Sequence, residues 1–252
     1  MLKCSLVRRT GFFLALVLTL PATLPAQFSI HLSPKTDLAF EDYRKGAEAR
    51  LDWKPRYASG LKPGDVKIAP VVGQGSIEVP LGLVHDWIVA AVVPRTTPER
   101  VIAALQNYAE YKNVYSPDVS DSKLIRREAD LFHVNLRLVK KKVLTALLNA
   151  DFDVEYRSLG NSRWSVISRS TRIAEIEGTQ ELPPGDGYGF LWRLNAYWLI
   201  EPRPEGVYIE CRTLSLSRDI PTGVGWLVKP FVTSVPKESL QKTMQDTIRA
   251  LR

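Results

Sequence analysis

Three histidines, four arginines set in strand-like runs and one band of aromatic residues are the groups in this chain whose types and spacing could do chemistry. His31, His85 and His133 are too scattered for a metal site, and neither HExxH nor HxH occurs. His85 and Asp86 are adjacent, so on a strand they point to opposite faces and do not act as one acid–base pair. There is no GxSxG elbow and no P-loop. GDGYG at 185–189 has the glycines of a turn, because strand-like residues rather than a helix follow it. No catalytic residue, metal ligand or cofactor is therefore assigned.

Arg137, Arg169, Arg172 and Arg193 lie in strand patterns. On a sheet with one wetted face, most such side chains lie outside. One that points inward needs a buried anion, such as Glu155, Glu175 or a carboxylate or phosphate on a ligand. Arg137 and Arg172 are the residues chosen for that role. The aromatic band occupies 188–201. Its even positions are Tyr188, Phe190, Trp192, Leu194, Ala196, Trp198 and Ile200, without a charge, while the odd ones include Arg193, Asn195, Tyr197 and Glu201.

If Ile200 pairs with Val207 across EPRPEG, the apolar face continues through Ile209 and Cys211 and ends in hydroxyls at Ser215 and Ser217. The other face then pairs Tyr197 with Glu210 and Asn195 with Arg212, and is expected to meet solvent. Each ring buries about 150–250 Å², and a helix about 10–12 Å across does not obviously cover such a face. Either the aromatics close into a dry core, or a cavity remains with Tyr188, Phe190, Trp192 and Trp198 along its wall.

The elements that must position these groups are legible in outline. Trp87 to Val93 is a near-continuous apolar run closed by Pro94, a buried strand. Thr97 and Pro98 start a helix as N-cap and first helical residue, with Val101, Ile102, Leu105 and Tyr108 on its apolar side. A short helical turn, AEYKNVY, follows. Strand patterns then cover 120–128, 131–139, 143–157, 163–176, 188–201 and 207–218. The last stretch, 219–252, is helical and in two pieces. The piece around 224–232 is apolar on several sides and carries Trp226 and Phe231. The second starts at Ser234-Val235-Pro236 and repeats Leu240, Met244, Thr247, Ile248 and Leu251 at spacings of three and four. In the cavity reading, Trp226 and Phe231 stand at its mouth, where residues 224–232 can also touch a membrane transiently.

Residues 1–26 read as a secretory signal: Lys3, Arg8 and Arg9 precede the apolar run 11–20, and LPAQ places a cleavage site after Ala26. The chain is expected to be exported, to the periplasm or outside the cell. Losing those three cations takes the net charge from +7 to +4, and no basic track interleaved with aromatics marks a nucleic-acid partner. Cys211 is the only cysteine left, which excludes an internal disulfide. Residues 27–84 hold one helical pattern, capped at Thr36 or Asp37 and running through Phe40, Tyr43, Ala47 and Leu51. After it comes a Pro/Gly-punctuated extended arm, too interrupted to fold alone.

The element order, with TTPERVIAALQNYAEY after the first strand and PKESLQKTMQDTIRAL at the end, resembles the START-like, helix-grip superfamily, which includes polyketide cyclase/dehydrase-type proteins. HDW (85–87), GFLWRLNAYW (189–198) and LSRDIPTGVGWLVKP (216–230) are also similar to a group of exported bacterial proteins. The resemblance spans 85–252. It implies an α+β fold in which a seven-stranded curved antiparallel sheet wraps around a long C-terminal helix, with the N-terminal arm outside it. It also implies binding of a lipid, sterol, polyketide or other apolar small molecule between sheet and helix, and the chain is expected to be a monomer. An enzyme of the cyclase or hydrolase kind in the same cavity, or an envelope interaction module with a dry core, are the alternatives.

Overall fold

The computed structural model describes residues 29–252 apart from 58, 143, 221, 222 and 224; the expected signal segment and its cleavage site lie outside these residues. In chain order the elements are β1 (Ile30–His31), α1 (Pro34–Glu48), β2 (Val66–Pro70), β3 (Ser76–Val79), β4 (Gly82–Val93), α2 (Pro98–Gln106), a 3-10 turn at Tyr108–Glu110, α3 (Tyr111–Val114), β5 (Val119–Glu128), β6 (Leu131–Lys141), β7 (Thr145–Gly160) and β8 (Arg163–Glu177). They continue with β9 (Gln180–Glu181), β10 (Asp186–Gly187), β11 (Arg193–Arg203), β12 (Gly206–Arg218), α4 (Gly225–Thr233) and α5 (Val235–Ala250).

Seven long strands form one antiparallel sheet in the order β4-β12-β11-β8-β7-β6-β5, which curls around α5 as a helix-grip. Period-two patterning sets its faces. Along β7, Ala146, Leu148, Ala150, Phe152, Val154 and Tyr156 are buried on the concave side, and their neighbours alternate to the outside. Bulges in β5 and at Thr171 in β8 interrupt the register. The stripe Leu240, Met244, Ile248 and Leu251 seats α5 in the main core. Thr97 caps α2, its Oγ1 accepting from the amide of Arg100 at 3.4 Å.

The sheet is wider than seven strands, because β2 and β3 pair end to end along the free edge of β4. The N-terminal helix is capped by Ser33, three residues before Thr36, whose hydroxyl instead donates to the Pro80 carbonyl at 2.7 Å. Pro34 at the first helical position favours the earlier start. Helix α1 lies on the convex face, where Phe40 and Ala47 form a second core with Val84, Trp192, Tyr197, Leu214 and Leu216.

This third layer corrects the expectation that the outer face of the β11–β12 hairpin meets solvent. Asn195, Tyr197, Glu210 and Arg212 are all buried. Arg212 donates from Nε and Nη2 to both carboxylate oxygens of Asp86, at 2.8 and 2.5 Å, and the Tyr43 hydroxyl donates to the same carboxylate at 2.8 Å. Glu48 accepts from Arg169 and from the Tyr197 hydroxyl, and Glu210 accepts from the Arg56 amide and the Tyr208 hydroxyl. Polar residues on this face pair with α1, with the arm and with one another rather than with water. The hairpin register is also offset by two from the assumed one: Ile200 faces Ile209 and Trp198 faces Cys211. An even offset leaves the side chains of the paired residues, from Arg193 onward, on their expected faces.

Candidate ligand cavity

Between the concave face and α2–α5 lies a cavity of about 300 Å³. Its floor is a set of cross-strand rows. The first row is Tyr156, Val166, Trp198 and Cys211, and the next is Val154, Ser168, Ala196 and Thr213. Beyond it Leu194 faces Ser215, which faces His85. The inward side chains of β12 thus change from Val207, Ile209 and Cys211 to Thr213, Ser215 and Ser217. The small Ala196 lies between Ser168 and Thr213 and leaves room above it.

One end is walled by tyrosines. Tyr108, Tyr111 and Tyr115, at spacings of three and four, turn one side of the 3-10/α3 segment inward and meet Tyr156 from β7. Tyr111 and Tyr156 donate to the Leu105 carbonyl at 2.5 and 2.7 Å, and the Tyr108 and Tyr156 hydroxyls lie 2.7 Å apart. Burial pushes the Tyr115 hydroxyl up to about 12 and raises the other three phenols as well, so all four are neutral. The sequence signal that would have found this wall was the helical spacing of the three tyrosines.

At the other end Phe190 and Phe231 close the wall, their ring centroids 4.3 Å apart. Phe190 is placed by Glu175, whose carboxylate accepts from the amides of Tyr188 and Phe190 at 2.7 and 2.9 Å. Burial raises the Glu175 pKa, and those amides oppose the rise. The backbone passes so close that a Cβ on Gly187, at φ +122°, would lie 2.5 Å from the Glu175 carboxylate. His85 looks into this end, with Nε2 2.9 Å from the Ser217 hydroxyl. Burial lowers its pKa to about 4, which leaves it neutral at ordinary pH.

Charged groups that reach the cavity are paired. Lys140 donates to Asp118 at 2.6 Å, and Asp246 accepts from Lys242 and Arg249. Beside them Lys142 bridges from the β6–β7 turn to Glu238 on α5 at 2.6 Å.

Of the residues chosen from sequence, Phe190, Trp198 and Phe231 line the cavity. Trp192 does not: it lies in the convex core under α1. The strand expected over 188–201 begins only at Arg193, and Gly189 at φ +71° breaks the alternation before it. Leu191 and Leu194, three apart, therefore both face the cavity and Trp192 faces away. Tyr188 stacks on the outer side of Phe190 at 5.4 Å, and its hydroxyl donates to Glu177. Trp226 is 66% exposed on α4 and lines nothing. Of the segment 224–232, Val224 lies outside the described residues.

The expectation that Arg137 or Arg172 points inward is corrected. Arg137 is exposed, and Arg172 pairs with Asp151 and Glu181 on the convex side. Charged residues at alternate strand positions opposite Phe132–Leu138 have no other face to take. The arginines that are buried are Arg212, on the face thought to be wet, and Arg218 at the end of β12. His133 is likewise on the convex side, Nδ1 2.6 Å from Asp153.

No family model matches the chain, and no curated protein matches it. Among solved structures it is similar to a STAR-related lipid transfer protein from Xanthomonas axonopodis, at 16% identity and a TM-score of 0.49 over 74% of this chain and 98% of that one. It is also similar to the lipid transfer and protein localization domain of human StarD13, at 10% identity and a TM-score of 0.49 over 88% and 99% of the two chains. A third is the Zhui aromatase/cyclase from Streptomyces sp. R1128, at 8% identity and a TM-score of 0.45 over 68% and 93%.

Proposed function

We propose that the protein is an exported carrier or sensor that encloses an apolar ligand between its sheet and C-terminal helices. The observation that carries this reading is the cavity of about 300 Å³ under α5, walled by Phe190, Trp198, Phe231 and four neutral tyrosines. That volume is at the lower end of ligand pockets, which run from about 300 to 1,000 Å³. Binding then comes chiefly from desolvation, about 25 cal/mol per Å² of apolar surface removed from water. Residues 224–232 serve as the part that meets a membrane during exchange. On α4, Phe231 is buried against the cavity while Trp226 stands in solvent, with Ile220 exposed just before the helix.

Native mass spectrometry of protein purified from its own host, followed by lipid extraction, should return one apolar molecule per chain. Ala196→Phe fills the space between Ser168 and Thr213. It should abolish that binding and leave the circular dichroism spectrum unchanged. Wild-type protein that carries nothing and takes up no apolar fluorophore would end the reading.

Catalysis in the same cavity is the second reading, and His85 is the observation that favours it. A general base works best with a pKa near the working pH, and burial holds His85 at about 4. The carrier reading therefore stands first. An interaction module with a dry core does not account for the open volume.

A further inference from the structure

The cavity floor offers hydrogen bonds at one place only, and there it offers no charge. Thr213 and Ser215 project inward from β12, Ser168 from β8, and His85 closes the row from β4. Ser215 is only 6% exposed, yet its hydroxyl, like those of Thr213 and Ser168, has no protein partner among the described residues. Ser168 and Thr213 are half-buried and all three oxygens open to the cavity, so a water or a ligand inside it supplies the bonds that the protein does not. Ser217 differs, because its hydroxyl is engaged by His85 at 2.9 Å and by the Arg218 carbonyl at 3.1 Å. At the opposite end the tyrosine hydroxyls already donate to the Leu105 carbonyl and to one another.

We infer that Thr213, Ser215 and Ser168 form a subsite for an uncharged oxygen group, hydroxyl or carbonyl, carried by a ligand whose apolar body runs toward Trp198 and the tyrosines. The inference rests on the carrier reading and narrows its ligand class. A carboxylate or phosphate is disfavoured there, because Lys140, the only lysine among the described residues that line the cavity, is committed to Asp118 at 2.6 Å. The imidazole beside the hydroxyls is neutral as well. A hydroxyl donates and accepts, so the strip suits alcohols and ketones alike.

The test is displacement of the uncharged fluorophore N-phenylnaphthylamine by decanol, decanone and decanoate at neutral pH. Decanol or decanone should displace it with about tenfold higher affinity than decanoate, a factor that corresponds to about one net hydrogen bond to a neutral partner. In the variant Thr213→Val with Ser215→Ala, decanol affinity should fall about tenfold while the fluorophore binds within about twofold of wild type. Decanoate binding as well as decanol would overturn the subsite, and so would a variant that leaves decanol unaffected or weakens fluorophore and decanol equally. Failure of the fluorophore to bind wild type is a different result: it removes the cavity reading itself, and the subsite falls with it.

Discussion

At the scale of single residues, the largest energetic stakes lie on the face away from the cavity. Arg212 and Asp86 are buried and joined by two hydrogen bonds beneath α1. Removing one member leaves the other charge buried and unpaired, which costs about 3–5 kcal/mol. Arg212→Met should lose that much in urea unfolding, whereas Arg212→Met with Asp86→Leu should lose less than the single change. Additivity in this cycle would show that the pair is not coupled. His85 carries a pH signature. Its folded pKa of about 4 lies below its ordinary 6.5, so the unfolded chain binds the extra proton in that window. Stability is therefore full above 6.5 and falls as pH drops toward 4, by up to about 3 kcal/mol at ~1.4 kcal/mol per unit. The raised carboxyl pKa of Glu175, also set by burial, works in the opposite sense, adding stability on acidification. Comparing wild type with His85→Gln isolates the histidine: between those pH values the melting temperature of the variant should fall less steeply. Equal slopes would mean that the imidazole is not desolvated.

At the scale of elements, α4 connects two surroundings. Phe231 packs on Phe190 inside, and Trp226 stands 66% exposed outside. Truncating an exposed side chain changes stability by no more than about 0.5 kcal/mol. Trp226→Ala should therefore leave the melting temperature nearly unchanged while slowing transfer of a fluorescent apolar ligand from vesicles to protein, read by stopped flow. A drop in melting temperature with unchanged transfer would return α4 to a plain structural role. The strand β11 makes the same point about local detail: one positive-φ glycine before it decides that Leu191 enters the cavity and Trp192 the convex core.

At the scale of the whole molecule, the sheet is covered on both sides, by α5 within and by α1 and the segment after it without. Phe40, Tyr43, Glu48 and the Arg56 amide all engage β4, β11 or β12. A chain lacking residues 29–81 would expose Val84, Leu214 and Leu216 together with the Arg212–Asp86 pair. It should fail to give a cooperative melt or a monomer peak on gel filtration, because an apolar face of this kind associates once uncovered. A stable, monomeric truncated domain would show that the arm is dispensable.

Much of this fold was legible in the sequence because it depends on local periodicity. The alternation along 131–157, the Thr97-Pro98 helix start and the Leu240–Leu251 stripe each follow from a period of two or 3.6 and from capping chemistry. The aromatic wall was legible where alternation is unbroken, at Trp198, and the hydroxyl run on β12 was visible as well. The rest was decided by tertiary structure. Whether Arg212 and Glu210 meet water or the arm depends on what lies over their face, and no periodicity encodes a cover supplied from about 150 residues away, as in the Arg56–Glu210 bond. The phase of Trp192 hung on one backbone conformation. The cavity exists because Ala196 and the hydroxyl rows fall opposite α4 and α5 instead of a filling side chain, a matter of volume between elements that composition does not carry.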